Sequence, residues 1–172
     1  MEPEPLMTLE EPERASAEER VLTLYREHGR RLYGYALGLL GNRADAEDVV
    51  QDAFLRLGQH LAKKGDEANL RGWLYRVATN LCRDRQRGRM RHAGAAPDSA
   101  GPTPTALSAI AIERVLTRLK PRDRELVLLR GEGLSYAEIA VSTATNPSSI
   151  GTLLARALRQ FAEEYAREFG KE

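Results

Sequence analysis

Apolar residues recur at helical spacing along most of the chain, and each element that this pattern predicts is a helix. The helices form two groups, over residues 16–92 and 109–172, separated by a stretch of small and polar residues. We therefore predict an all-α fold with two small helical domains joined by a flexible linker at residues 93–108. Residues 1–15 are rich in Glu and Pro, which predicts a disordered acidic tail.

Capping residues mark the helix boundaries of the first group. Ser16 and Glu19 have the spacing of a capping box, which predicts that a helix begins there. Gly41 and Asn42 are predicted to end this helix and to begin the second, and Asn69 to cap the third. Three tyrosines in the first helix could stack on bases. We interpret them as core residues, because Tyr25 and Tyr33 fall on the apolar stripe while Tyr35 does not.

The third helix combines an apolar stripe with a strongly basic surface. Residues 71–91 hold seven arginines and a single acid, Asp84. The apolar stripe predicts a face docked on the core: Trp73, Leu74, Val77, Ala78, Leu81 and Cys82. The opposite face is predicted to point to solvent and carries Arg76, Asn80, Arg83 and Arg87. Guanidinium groups at this spacing suit phosphates, and an amide can bind a base edge; the alternative is a solvated helix end.

The second helix carries an exposed face of unusual composition. Ala46, Val49, Val50, Ala53, Phe54, Leu57 and Leu61 form its docking stripe, and the far side carries Asp48, Gln51, Asp52 and Leu55. A leucine within a rim of acids and an amide is typical of the centre of a protein interface that selects a basic partner. The alternative is an isolated exposed leucine, which is ordinary on protein surfaces.

The C-terminal group ends in a candidate helix-turn-helix motif. Ser135 and Glu138 predict a capping box for a short helix, residues 143–145 a turn, and Asn146 with Pro147 the start of a long helix. The long helix is predicted to be buried along Ile150, Leu154, Ala157, Leu158, Phe161 and Tyr165. An ordinary helical hairpin of a bundle has the same spacing and remains the alternative.

Composition excludes several classes of function. Among 172 residues, 42% are apolar, 30% are charged and the net charge is +1, so only the uneven distribution of charge suggests a partner. A single cysteine, Cys82, excludes an internal disulfide and a multi-cysteine metal site. The sequence shows no membrane-spanning run, no signal peptide and no arrangement of catalytic residues, and His28, His60 and His92 form no metal-ligand pattern. We expect a cytoplasmic protein without a cofactor, a metal or an enzymatic activity.

The order of these motifs resembles a bacterial sigma factor of the extracytoplasmic-function (ECF) type, in the sigma-70 family. The resemblance is carried by AEDVVQDAFLRL at residues 46–57, LRGWLYRVATNLCRDRQR at 70–87, LSYAEIA at 134–140 and SSIGTLLARAL at 148–158. It implies an alternative sigma factor that binds core RNA polymerase and directs promoter recognition, DNA melting and transcription initiation. It also implies a sigma region 2-like domain at residues 16–92, a sigma region 4-like domain at 109–172, and an anti-sigma partner that no residue here identifies.

The resemblance assigns roles to three surfaces. The polymerase clamp would be bound by Asp48, Gln51, Asp52 and Leu55. The proximal promoter element would be opened and read by Arg76, Asn80, Arg83, Asp84 and Arg87, with a flipped-out base held by the loop at residues 62–69. The distal element would be bound as duplex by Ser135, Tyr136, Ser148, Ser149, Thr152, Arg156 and Arg159.

One departure from the family pattern concerns the last helix. The family often places basic side chains in its first turns, where this chain has Gly151 and Leu153. Two other classes therefore stay open beside a sigma factor. A free-standing helix-turn-helix regulator would bind duplex DNA without polymerase, and a helical regulatory adaptor would bind another protein instead of a promoter.

Overall fold

The computed structural model describes residues 16–65, 68–92 and 107–170. These residues form helices and no strand, which confirms the all-α prediction. The predicted acidic tail and most of the predicted linker, residues 93–106, lie outside the described residues. In chain order the helices are α1 (Ala17–Leu40), α2 (Arg43–Ala62), α3 (Leu70–Arg91), α4 (Leu107–Arg118), α5 (Pro121–Gly131), α6 (Tyr136–Thr143) and α7 (Pro147–Phe169).

Both predicted capping boxes are present. The Ser16 hydroxyl accepts a hydrogen bond from the Glu19 backbone N–H at 3.2 Å, and the Glu19 carboxylate accepts one from the Ser16 N–H at 2.9 Å. Ser135 and Glu138 form the same reciprocal pair at the start of α6. Each pair satisfies two backbone donors that the helix itself leaves unbonded, so the sequence alone fixes where these helices begin.

The other predicted caps also hold. The side chain of Asn42 accepts from the backbone N–H of Asp45, and Gly41 before it has the left-handed conformation that ends α1. Asn69 itself has a positive φ of 59°, and its side chain accepts from the Gly72 N–H at 2.9 Å. The predicted turn at 143–145 is shorter than expected, because α6 continues through Thr143.

Helices α1, α2 and α3 pack around a common core. The prediction of which tyrosines of α1 lie on its buried stripe is wrong for Tyr25 and Tyr35. Tyr35, which lies off the predicted stripe, is completely buried, whereas Tyr25 is 52% exposed. The cause is that α1 contacts α3 and α5 as well as α2, so its buried surface is wider than one stripe. The Tyr35 ring lies edge to face with Tyr75 of α3, with ring centroids 5.3 Å apart.

In the C-terminal half, α5 and α6 pack against the first part of the long helix α7, where Ile150, Leu154 and Ala157 are buried. The prediction that burial continues along α7 is wrong, because Leu158 and Tyr165 are 42% and 44% exposed. The last turns of α7 are tied to the short helix α4, where Arg118 is paired with Glu168 at 2.5 Å. A single short neighbour covers too little of the circumference of α7 to bury them.

The two halves pack against each other. Buried apolar side chains of α1, α2, α3, α5, α6 and α7 form one continuous cluster, and α3 packs more extensively against α6 than against α1 or α2. Helix α5 contacts α1 at Gly38, where an added Cβ would lie 3.0 Å from a methyl group of Leu128. Glycine at this position allows the close approach. The predicted domain boundaries near residues 92 and 109 stay predictions.

Candidate polymerase and nucleic-acid interfaces

The structure brings the four predicted interface residues of α2 together on one surface. Asp48 and Gln51 are exposed, and the Leu55 side chain is 65% exposed although it is large and apolar. Asp52 is half-buried because its carboxylate accepts a hydrogen bond from Arg85 of α3 at 3.3 Å. The surface therefore has an apolar centre, two acids and an amide, and one of the acids is already partly neutralised.

An apolar groove of about 960 Å³ lies beside this surface, between α1 and α2. Leu55 and Gln51 form one side of it, and Leu22 and Tyr25 of α1 form the other. Leu22 is 48% exposed, and the Tyr25 ring packs edge to face on Phe54 with centroids 5.0 Å apart. Sequence reasoning missed Leu22 and Tyr25 as surface residues, because helical periodicity does not show where the cover of a helix ends.

Three of the four predicted polar positions of α3 face solvent. Arg76 and Asn80 are exposed, and so is Arg87. Arg87 donates a hydrogen bond to Asp84, three residues earlier on the same helix. Arg76 therefore keeps its charge available to a polyanion, while that of Arg87 is shared with an acid.

Arg83 is different, and the prediction that it faces solvent is wrong. Its Nε donates to Glu125 Oε1 at 2.8 Å and its Nη2 to Glu125 Oε2 at 2.6 Å. Glu125 lies on α5 in the other half of the chain and is only 5% exposed. The hydrogen bonds that Arg83 donates to the Glu125 carboxylate raise the pKa of Arg83. A bidentate pair of this kind is among the strongest polar contacts in proteins, so Arg83 is occupied in this structure.

Further polar contacts join the two halves around this pair. Arg71 of α3 donates to the backbone oxygen of Glu132 at 2.8 Å and lies 3.6 Å from the Glu138 carboxylate. The Ser142 hydroxyl of α6 donates to the backbone oxygen of Glu138 at 2.7 Å and lies 3.3 Å from that of Gly72, and Arg124 of α5 donates to the backbone oxygen of Gly38. Burial at this contact raises the pKa of the Glu132 carboxyl and lowers that of Arg124.

Aromatic rings flank the loop that was predicted to hold a flipped-out base. His60 at the end of α2 and Trp73 at the start of α3 are stacked, with ring centroids 4.5 Å apart. Residues 66 and 67 of the loop lie outside the described residues. The described part therefore offers a stacked aromatic pair beside the polar loop, a feature that bases can use.

The first turns of α7 present short polar side chains. Ser148, Ser149 and Thr152 are exposed, and the Ser148 hydroxyl donates to the Asn146 side chain at 2.8 Å. Gly151 is half-buried, and a Cβ there would meet only the Tyr136 ring, at 3.7 Å.

The remaining predicted residues of the helix-turn-helix lie around this surface. Arg159 is exposed, whereas Arg156 is paired at 3.0 Å with Asp123 of α5. Ser135 is used as the cap of α6. Tyr136 is 50% exposed, with the Arg130 guanidinium 5.8 Å from its ring centroid.

The candidates for chemistry among the described residues are metal-ligand clusters and the single thiol. Among them no three His, Cys, Asp or Glu side chains are grouped so that they could hold a metal ion. Cys82 is buried, and burial raises the pKa of its thiol to about 12, so it is a poor nucleophile. Within the described ranges, no helix is long and apolar enough to cross a membrane.

Comparison with known protein families gives two matches in chain order. Residues 24–92 match the model of Sigma-70 region 2, and residues 109–161 match that of Sigma-70, region 4. The first match contains α2 and α3 with their exposed faces, and the second contains α6 and the first two thirds of α7.

Curated relatives match over most of the chain. The chain is 35% identical over 157 residues to the ECF RNA polymerase sigma factor SigL of Mycobacterium tuberculosis, covering 84% of this chain and 89% of the relative. It is 31% identical to SigE of Mycolicibacterium smegmatis, an ECF RNA polymerase sigma factor, and spans 61% of the length of that protein.

Two solved structures share the fold. One is the sigma factor RpoE from Bartonella quintana in complex with the anti-sigma factor NepR. It matches with a TM-score of 0.64, and the matched region covers 86% of this chain and 94% of the RpoE chain. The other is CnrH in complex with the cytosolic domain of CnrY. It matches with a TM-score of 0.68, and the matched region covers 85% of this chain and 87% of the CnrH chain. Both are 22% identical to this chain, so the likeness concerns the fold alone.

Proposed function

The chain belongs to the family of ECF RNA polymerase sigma factors, and from that premise we propose that it binds core RNA polymerase and directs promoter recognition, DNA melting and transcription initiation. It does so by binding, in the cytoplasm, and not by a chemical reaction of its own. The observation that carries the proposal is the exposed Leu55 with its acidic rim on α2, which stands beside the arginine-bearing face of α3.

The α2 surface is the proposed polymerase contact. An exposed leucine can enter an apolar pocket of the partner, and Asp48 with Gln51 can fix its orientation by hydrogen bonds at the rim. The adjoining groove adds apolar area that a helix of the polymerase can cover. Acids at the rim favour a basic partner and speed its association.

The α3 surface is the proposed contact with the proximal promoter element. Arg76 and Arg83 would bind phosphates of the melted strand, while the Asn80 amide would hydrogen-bond a base edge. The stacked pair of His60 and Trp73 would support a base that has left the helix.

The helix-turn-helix is the proposed contact with the distal element as duplex. Ser148, Ser149 and Thr152 would approach the major groove closely, and Arg159 would bind a flanking phosphate or a guanine. These side chains make few long-range phosphate contacts, so this half would hold DNA weakly by itself. Its attachment to polymerase would raise its effective concentration at the promoter.

A protein that restrains the factor is also part of the proposal. RpoE, which shares the fold, was crystallised with the anti-sigma factor NepR. A partner of that kind would have to cover the α2 surface or the α3 surface to silence this chain.

Reconstituted transcription tests the proposed function. Core polymerase would be supplied with this protein on a genomic promoter library, and transcripts would be mapped. We expect discrete start sites that are absent without the protein. The double variant Asp48→Arg with Leu55→Ala should lose them, because truncation of the central leucine costs about 1–3 kcal/mol of binding and an arginine at the rim repels a basic partner.

The charge control is Glu27→Arg, which makes a comparable change from an acid to an arginine on α1. Glu27 is exposed and does not line the groove beside Leu55, so polymerase binding should be kept. Equal transcription by the double variant, with the fold intact by circular dichroism, would contradict the assignment of the α2 surface.

A further inference from the structure

We propose that residues 1–15 of this chain fold back along α1 and occupy the apolar groove between α1 and α2, where they cover Leu55 until polymerase displaces them. The docking of this segment concerns the free chain, and only its competition with polymerase rests on the proposed function. The segment directly precedes Ser16, and the groove begins at that point, because Ala17 is one of its lining residues.

The groove gathers large apolar side chains that the fold leaves exposed. Leu22 and Tyr25 of α1 are 48% and 52% exposed, and Leu55 of α2 is 65% exposed. All three line the same hollow of about 960 Å³. Removing such a contiguous apolar patch from water is favourable, so the groove fits an occupant with apolar side chains.

The segment has apolar side chains in its middle and acids on both sides. Leu6, Met7 and Leu9 stand close together in the sequence. The acids around them are Glu2, Glu4, Glu10, Glu11 and Glu13. The order along the segment is therefore acidic, apolar and acidic again.

The end of the groove where α2 terminates is basic on its α2 side. Lys63 and Lys64 follow directly after the last lining residue of α2, and both are exposed. Glu18 is the one acid among the described lining residues. When the segment runs back from the start of α1, Glu10 and Glu11 reach this end first, where the lysines attract them.

The far end of the groove opens into a second hollow, of about 450 Å³, since Tyr25 and Gln51 line both. Arg26 and Arg30 of α1 border the second hollow and are exposed. Neither forms an ion pair with another described residue, although Glu47 borders the hollow as well. The far end therefore offers two cations to an acidic occupant.

The length of the segment fits this path. From Ser16 to Arg30, α1 extends about 21 Å at about 1.5 Å per residue. The chain from Glu4 to Ser16 spans up to about 40 Å when it is extended. Folded back, the segment brings its apolar residues to the groove and Glu2 with Glu4 to the two arginines. Because it is covalently attached, its effective concentration there is on the order of millimolar, so modest contacts suffice.

The docked segment excludes polymerase from part of the α2 surface. Leu55 lines the groove and is also the centre of the proposed polymerase contact. The segment and the polymerase cannot both cover this side chain. The apparent affinity for polymerase is therefore reduced by the fraction of chains in which the segment is undocked.

Spin labelling tests the docked segment without polymerase. Met7→Cys would carry a nitroxide in the full-length protein, while Cys82 stays unlabelled because it is buried. We expect the label to broaden the methyl NMR signals of Leu22 and Leu55. The signals of Leu158, an exposed leucine in the other half, should stay sharp. Reduction of the nitroxide with ascorbate should restore every broadened signal.

Charge reversal at the far end tests the direction of the segment. Arg26→Glu with Arg30→Glu should reduce the broadening severalfold, because these side chains then repel the acids of the segment. Adding Glu2→Arg with Glu4→Arg should restore it. Arg43→Glu is the control, since Arg43 is exposed and lines neither hollow, and it should leave the broadening unchanged.

Polymerase binding tests the competition. The triple variant Leu6→Ser, Met7→Ser and Leu9→Ser should bind core polymerase more tightly than wild type. A segment that is docked nine tenths of the time would raise the apparent Kd about tenfold, and its release would remove that factor. Thr8→Ser, a mild change within the same segment, is the control and should bind like wild type.

Three results would overturn the docked segment. The first is no broadening at Leu22, and the second is equal broadening with and without charge reversal, which would mean that the segment only stays near its point of attachment. The third is broadening in a mixture of spin-labelled and isotope-labelled chains, which would assign the groove to a second copy. If the triple serine variant binds polymerase like wild type while the labelled segment still broadens Leu22, the proposed polymerase contact fails and the docked segment stands.

Discussion

At the scale of single residues, two neighbouring tyrosines differ in how their hydroxyl groups are satisfied. The Tyr35 hydroxyl lies 2.7 Å from Thr79 Oγ, and the Thr79 hydroxyl donates to the backbone oxygen of Tyr75 at 2.7 Å. Because the one proton of Thr79 is used for that bond, Tyr35 must be the donor of the pair. The buried Tyr75 hydroxyl has no hydrogen-bond partner among the described residues.

This difference predicts opposite outcomes for the same substitution. Tyr35→Phe should lower the free energy of unfolding by about 1 kcal/mol, because a buried hydrogen bond is lost. Tyr75→Phe should leave it unchanged or raise it slightly, because it removes a desolvated group without a partner. Urea unfolding of the two variants measures the difference. Equal destabilisation by both would show that the Tyr75 hydroxyl is bonded in solution.

Two arginines of α3 show that residue type and helical position do not determine whether a side chain has a partner. Arg76 and Arg83 have the same chemistry and occupy the same predicted face, yet Arg76 is exposed and Arg83 is paired with Glu125. The helical spacing that predicted the stripe contains no information about α5. The sequence thus predicted the cations of this face, but not that Arg83 would be paired with an acid of α5.

At the scale of elements, the sequence defined the helix ends well. Ser16, Asn42, Asn69, Ser135 and Asn146 were all predicted as caps, and each accepts a backbone hydrogen bond in the structure. Caps could be predicted because they depend on residues two or three positions apart. Burial along α7 could not, because it depends on the length of the helices that happen to pack beside it.

The first turns of α7 give a prediction of their own. Gly151→Ala should stabilise the fold by about 0.5–1 kcal/mol, because glycine weakens a helix interior and the added Cβ meets only the Tyr136 ring at ordinary contact distance. Gly151→Lys should in addition tighten binding of duplex promoter DNA, with a salt dependence steeper by about 0.9 for one new phosphate contact.

Fluorescence anisotropy of the full-length protein on labelled duplex, across a salt series, measures this effect, and Gly151→Ala is the control for the helical contribution. If the alanine variant changed the salt dependence as much as the lysine variant, position 151 would act through the helix and not through charge. Tight binding by wild type without polymerase would instead favour a free-standing regulator.

At the scale of the whole molecule, the two halves share one apolar cluster. Leu129 of α5 is fully buried in it, and Trp73, the single tryptophan, lies in the other half. Halves that share a core are expected to unfold together, since exposure of one side removes the partners of the other.

The shared core predicts that a destabilising substitution in one half also lowers the stability measured by a probe in the other half. Leu129→Ala should lower the free energy of unfolding measured by Trp73 fluorescence by about 2–5 kcal/mol, the usual cost of a core cavity. Leu158→Ala, which truncates a leucine that is 42% exposed in the same half, should have little effect. An unchanged Trp73 transition in Leu129→Ala would mean that the halves unfold independently.

The sequence by itself determined the helices, their caps and the family to which the chain belongs, because these depend on residue types at short and regular spacing. It also placed Asp48, Gln51 and Leu55 on an exposed face, since the opposite face of α2 is apolar along its length. Only the tertiary structure decided that Tyr35 is buried, that Leu22 and Tyr25 border a groove, and that Arg83 is held by Glu125. The contacts of Tyr35 and Arg83 join residues that are 44 and 42 positions apart, and the groove joins α1 to α2. The spacing within one helix carries no information about the surface that will cover it.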